Sequence, residues 1–124
     1  MDPQQIIFTR LLVGLRARDL TVYDGKIPGA SATYPFIYLA GGNTVDTMRK
    51  GSHGANIYQD VHVWHNNLNR RGDFSNLIKV VKEECLNIEG DTGFLWRECS
   101  VNITEDDTTS QPLLHATITV RFDI

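Results

Sequence analysis

Four histidines, two cysteines and two adjacent acid pairs are the residues of this chain best equipped to hold a metal or move a proton. His62 and His65 lie three apart in a stretch that reads as a strand. Side chains alternate along a strand, so the two point to opposite faces and cannot share one ion. His53 falls in a glycine-flanked segment and His115 in a later strand. A His62–His115 pairing across a sheet is the remaining arrangement, and no ligand motif accompanies it. Ser52-His53 places a nucleophile type beside a base type, but sequence neighbours do not provide triad geometry, and the pair reads as a loop tip. Glu83-Glu84 and Asp106-Asp107 read as solvated charge. The sequence has no GxSxG, P-loop, HExxH or dinucleotide-binding glycine pattern. No catalytic, cofactor-binding or metal-ligating residue is therefore assigned, no cofactor is expected, and the expectation is a protein that assembles and does not catalyse.

The bulk properties narrow the partners. A chain of 124 residues is enough for one domain. The net charge of −3 argues against a general nucleic-acid coat, which needs a basic excess to neutralise phosphates. No apolar run approaches the ~20 residues of a membrane span. Met-Asp-Pro-Gln-Gln does not read as a signal peptide, so a cytosolic origin is expected. Cys85 and Cys99 are isolated, form no CxxC pair, and are expected to be small reduced apolar residues.

The elements that would position these residues follow from periodicity. Asp2 and Pro3 suit the cap and first position of a helix over Gln4 to Asp19, with Ile7, Phe8, Leu11, Leu12 and Leu15 as its apolar stripe. Leu20 to Tyr34 reads as a connector. Pro35 opens a short strand, Phe36 to Ala40. Gly41 to Gly54 is polar with glycines at both ends and reads as a long loop, the kind that is usually functional or disordered. Ala55 to His65 is an alternating strand in which Gln59 breaks the apolar series. A second helix is expected from Asp73, as N-cap, to Ile88, with Gly90 as the stop. Its buried face is Phe74, Leu77, Ile78, Val81, Cys85 and Ile88. Phe94 to Thr104 reads as a strand with Leu95, Arg97, Cys99, Val101 and Ile103 on one face and Trp96 opposite. Glu105 to Gln111 reads as a polar turn, and Leu113 to Ile124 as a strand with Leu114, Ala116, Ile118, Val120, Phe122 and Ile124 inward. The fold class is α+β: a four-stranded, mainly antiparallel sheet with both helices on one face and a long loop between strands one and two.

Three surfaces are candidates for contact with other subunits. The open sheet face should carry Tyr58, Trp64 and Trp96, more aromatic area than solvent-facing sheets usually show. Arg49, Lys50 and His53 cluster in the glycine-flanked loop of an otherwise acidic chain. Arg70 and Arg71 sit in a turn, where arginine could pair with a partner's carboxylates.

The markers Val22-Tyr23-Asp24 with Ile27-Pro28-Gly29, Tyr34 to Leu39, Val61-His62-Val63-Trp64, and Arg71-Gly72 opening a helix resemble the tail completion, or tail terminator, proteins of long-tailed phages. The resemblance runs from about Arg10 to Ile88; the last two strands agree in pattern only. It implies one tail-terminator-like domain over residues 1–124 and a homo-oligomeric ring, a hexamer, that caps the tail tube and stops its polymerisation. It implies the major tail tube protein and a head-completion or connector protein as partners, with DNA passing through the lumen without specific binding. It implies a place in the tail–neck region of a virion, after assembly in the host cytoplasm and without a membrane. Another neck component, such as a head-closure or connector protein, is the alternative; a small ligand-binding domain or enzyme is the less favoured one.

Overall fold

The computed structural model describes residues 2–29, 32–107 and 111–124. Helix α1 (Pro3–Arg16) begins where its sequence signals place it: the Asp2 carboxylate accepts from the backbone N–H of Gln4 at 3.1 Å and of Gln5 at 3.4 Å. Ile7, Leu11 and Leu15 are fully buried, and Phe8 and Leu12 pack beside them. The helix ends at Arg16, short of the expected Asp19, because Ala17 to Asp19 turn the chain and Asp19 adopts φ 60°.

The sheet has five strands, not four. Strand β1 (Val22–Asp24) lies within the expected connector and pairs parallel with Ile37 to Leu39 of β2 (Phe36–Arg49). Three residues show no periodicity, so only their distant pairing partner makes them a strand. With β3 (Ser52–His65), β4 (Leu95–Asp106) and β5 (Leu113–Asp123) the order is β1-β2-β3-β5-β4, antiparallel throughout except at β1.

The segment Gly41 to Gly54 is not a loop. It completes a long hairpin in which β2 and β3 pair as far as Arg49 with Ser52. Thr44, Val45 and Thr47 are β-branched and suit a pleated surface. Only Lys50 and Gly51 turn, and Gly51 takes φ 81°, a region that glycine enters without steric penalty.

Helix α2 (Arg71–Thr92) starts and ends differently from expectation. Arg70 is the N-cap, without a side-chain cap bond, and Asp73 lies inside the first turn. The helix runs past Gly90 to a left-handed Gly93. Its expected buried face is observed, joined by Val80 and Glu84. Both helices pack on one side of the sheet, where their stripes meet the inward residues of β2, β3 and β5 in one hydrophobic cluster.

A bulge in β4 changes which residues face that cluster. The register shifts between Trp96 and Glu98, so Arg97 is left without its own partner on β5. One extra residue inverts the faces on either side of it. Trp96 pairs with the inward residue Phe122, as Cys99 does with Val120 and Val101 with Ile118. Trp96 therefore packs against the core, not on the open face, while Leu95 and Arg97 do not share a face with Cys99 and Val101. Strand β4 also continues to Asp106, into the expected turn, part of which lies outside the described residues.

Candidate functional site

Three regions remain outside the core: the open sheet face, the distal part of the hairpin, and the start of α2.

On the open face, strand alternation and register gather an aromatic ladder. Phe36 opposes Trp64 and Tyr38 opposes His62 across β2 and β3; Trp64 opposes His115 across β3 and β5. Trp64 and His115 stack face to face at 3.7 Å between centroids, with nearly parallel rings. Tyr23, Tyr34 and Trp64 surround Phe36, with centroids at 5.3, 5.2 and 6.4 Å, and leave it only 4% exposed. The Trp64 indole N–H is buried without an acceptor among the described residues. At the other end of the face, Tyr58 lies 6.0 Å below the Arg121 guanidinium. Arg121 also donates to Asp123 at 2.9 and 3.1 Å.

His62 and His115 do come together across the sheet. Nδ1 of His62 and Nε2 of His115 are 2.7 Å apart, with one ring donating to the other. Burial lowers the pKa of both, and for His115 the nearby His62 lowers it further; Asp60 and Asp106 oppose these shifts. The pair therefore rests neutral near pH 7. His65 points to the opposite face, is buried, and accepts from the Asn67 N–H. Among the described residues no group of three or more His, Cys, Asp or Glu side chains is arranged to hold a metal ion. Both cysteines are free, and burial pushes the Cys85 thiol far up.

The hairpin extends past the rest of the sheet as an arm. Strand β5 follows β3 only to the Asn56–Asp123 pair, with a last bond from Ile124 N–H to the Ala55 carbonyl. The three rungs from Thr47–Gly54 to Arg49–Ser52 pair only within the hairpin, a reach of about 10 Å at ~3.3 Å per residue. Val45 is 45% exposed and Met48 79% exposed. His53 lies 3.5 Å from Asp46, and Lys50 is exposed at the tip. The backbone of Arg49 pairs with Ser52; its side chain lies outside the described residues.

Gln59 anchors the arm's base. The residue that breaks the apolar series of β3 is 2% exposed, opposite the β2 bulge between Leu39 and Gly42. Its Nε2 donates to the carbonyls of Ala40 at 2.8 Å, Asp60 at 3.0 Å and Gly41 at 3.4 Å. A bulge strands backbone groups that a regular ladder would pair, and this amide meets them.

Arg70 and Arg71 are engaged within the chain. Arg70 pairs with Asp73, and Arg71 with Glu105 at 3.4 Å; all four side chains are exposed.

Of the residues expected at contacts, Tyr58 and Trp64 share the open face, and Lys50 and His53 share the arm with Arg49. Arg70 and Arg71 stand apart, and Trp96 is on the core side. Tyr23, Tyr34, Phe36 and Tyr38 belong to the aromatic face without having been expected there, whereas His62 and His115 pair across the sheet as the one arrangement left open for them. Strand parity carried the signal for Phe36 and Tyr38, because Ile37 and Leu39 between them face the core.

No protein-family model matches the sequence, and no curated protein matches it. Solved structures do. The bacteriophage SPP1 gp17 protein superposes with a TM-score of 0.62 at 22% identity, over 98% of this chain and 90% of that one. The chain has the gp17 fold. A chain of the virion of a native gene transfer agent particle superposes at a TM-score of 0.50 and 12% identity, over 98% of this chain and 95% of its own length. Both similar folds come from a phage protein and a virion particle, in agreement with the resemblance to phage tail completion proteins. No helix among the described residues is long and apolar enough to cross a membrane.

Proposed function

We propose that this chain is a structural protein of a phage virion, placed in its tail–neck region. In this reading it is a ring subunit, a hexamer by family analogy, that caps the tail tube and ends its polymerisation. The ring then joins the tail to the head connector, with DNA passing through its lumen. The observation that carries the reading is the likeness to gp17 along nearly the whole chain. Such a fold hosts function through its surfaces, so the arm, the aromatic face and the start of α2 are the proposed contacts, with Arg49, Lys50, His53, Tyr58, Trp64, Arg70 and Arg71 as the residues concerned. The acidic balance of the chain supports a DNA conduit, since a strongly basic lumen would retain the genome.

The test is loss of the gene in the producing phage, with particles viewed by electron microscopy. The expected result is filled heads beside separate tails of uncontrolled length. Tails of normal length beside heads that leak DNA would instead assign the chain to head closure. Normal infectious particles would overturn the reading. Adding back purified protein should arrest tube growth in extracts.

A further inference from the structure

A groove of about 960 Å³ runs between α1 and α2. Ile6, Val13, Ile88 and Phe94 give it apolar walls, and Val13 is 61% exposed. At one end Arg10 pairs with Asp91 at 2.9 Å. At the other end Glu84 lines it beside Gly14.

The Glu84 end carries surplus negative charge. Arg18 is shared by Glu83 at 3.7 Å and Glu84 at 3.2 Å, so one guanidinium serves two carboxylates. The Glu84 side chain is only 10% exposed. Both of its donors, Arg18 and Asn87, go to Oε2. Oε1 accepts no hydrogen bond from a described residue and lies over Gly14, where a Cβ would stand 2.0 Å from it. Glycine at that position keeps the oxygen open to the groove. A buried carboxylate oxygen with acceptor capacity to spare suits a cationic donor.

The arm carries the matching chemistry. Met48, 79% exposed, is the barest of the large apolar residues, and Lys50 is exposed at the tip beside it. The arm cannot reach the groove of its own copy. Helix α1 begins at the arm's base, where Gln4 Oε1 accepts from the Thr44 hydroxyl at 2.6 Å. It ends where Arg16 donates to the Val22 carbonyl, beside Ile37. The helix therefore runs away from the tip, and Lys50 lies about 20 Å beyond Thr44 at ~3.3 Å per residue. A ring axis along the strands would keep all copies level and hold each arm clear of every groove. With the axis across the strands, the arm points round the ring, and it first meets the Val13–Gly14–Glu84 end of the copy ahead.

We infer that the arm tip of one copy docks in the α1–α2 groove of the next, with Met48 against the apolar walls and the Lys50 ammonium on Glu84 Oε1. Each copy gives an arm on one side and accepts one on the other, a heterologous contact that closes into a ring when the rotation allows. The inference rests on the self-assembling ring proposed above and specifies its joint.

Cysteines at the two ends of the contact test it, at two exposed positions outside the core and with native circular dichroism as the check. Val13→Cys and Met48→Cys are oxidised with glutathione disulfide, alone and mixed. This is done free in solution up to about 1 mM, the weak end of specific association, and on purified tail tubes. The mixture should give linked dimers containing one chain of each variant, and neither variant alone should. A chain carrying both substitutions should give a ladder of multimers. Met48→Cys linking to itself or to the tail tube protein, or no link in the mixture, overturns the docking. Charge gives a second measurement. Val13→Lys sets an ammonium against Lys50 and should abolish assembly, and Lys50→Glu in the same chain should restore it. A Val13→Lys chain that assembles like wild type, or a double variant without rescue, overturns the docking and leaves the virion role standing. If the wild-type chain forms no ring even on tail tubes and fails to arrest their growth, the proposed function falls as well.

Discussion

Replacing Gln59 should loosen the arm by a mechanism that two substitutions can separate. The native amide is nearly fully buried and gives its N–H groups to the Ala40 and Asp60 carbonyls at 2.8 and 3.0 Å. Gln59→Leu keeps the volume but removes the donors. An orphaned buried carbonyl costs about 1–3 kcal/mol, and burying leucine in place of an amide offsets part of that. The expected loss is about 1–2 kcal/mol. Gln59→Glu is nearly isosteric, but when ionised it donates nothing and sets a negative charge against three carbonyl oxygens. Leaving a buried charge uncompensated costs about 3–5 kcal/mol. A protonated glutamic acid would donate again, so this variant should recover relative to wild type as pH falls. Urea melts of all three proteins between pH 7.5 and pH 5.5 measure both effects. Hydrogen exchange should show faster amides over residues 42–55 in each variant, because the bulge that sets the arm's base has lost its anchor. If Gln59→Glu is no less stable than Gln59→Leu at neutral pH, the account of Gln59 as a donor to the bulge is wrong.

Four further outcomes are expected. Leu77→Ala, on the buried face of α2, should lower unfolding free energy by about 2–5 kcal/mol in urea melts. Arg18→Ala strips the buried Glu84 carboxylate of its bond at 3.2 Å and leaves Asn87 as its donor. A loss of about 1–3 kcal/mol should result, and Arg18→Lys should restore part of it. His62 and His115 have lowered pKa values in the folded chain, so the unfolded chain binds protons first. Stability should be unaffected by the pair well above pH 6.5 and should fall as pH drops below it; His62→Asn with His115→Asn should flatten that slope in urea melts at pH 7.5 and 5.5. Arg49→Glu with Lys50→Glu, at the hairpin tip, should leave the unfolding free energy from urea melts within about 0.5 kcal/mol of wild type. The same change should lower the yield of joined particles, counted by microscopy and plaque assay.

Both helices and most strand faces were legible in the sequence. Five apolar residues at helical spacing announced α1, and six announced α2; strict alternation announced β5 and the inner half of β3. These signals are local, because burial on one side of a regular element imposes its period on the sequence. The misreadings share a different cause. Glycines at 41, 42, 51 and 54 read as loop punctuation, yet one serves a tight turn and the rest lie in a paired hairpin. The ladder is set by pairing across the turn, and no residue of β2 states that partner alone.

For the candidate surfaces, the chain's own order of residues determined that there is aromatic area beyond the core, a basic pair near a glycine turn, and no compact catalytic motif. It also marked Gln59 as an anomaly on an inward face. Tertiary structure decided the rest. The bulge at Arg97 moved Trp96 from the open face to the core, although every residue around it alternates as a strand should. Register placed His62 against His115, which are 53 positions apart, and raised Phe36 and Tyr38 into the same ladder. Pairing also lifted Arg49 and Lys50 from an expected loop to the end of a projecting ribbon. Period is a property of one segment and can be read along it. Register, bulges and edges are relations between segments, and they exist only once the strands have met.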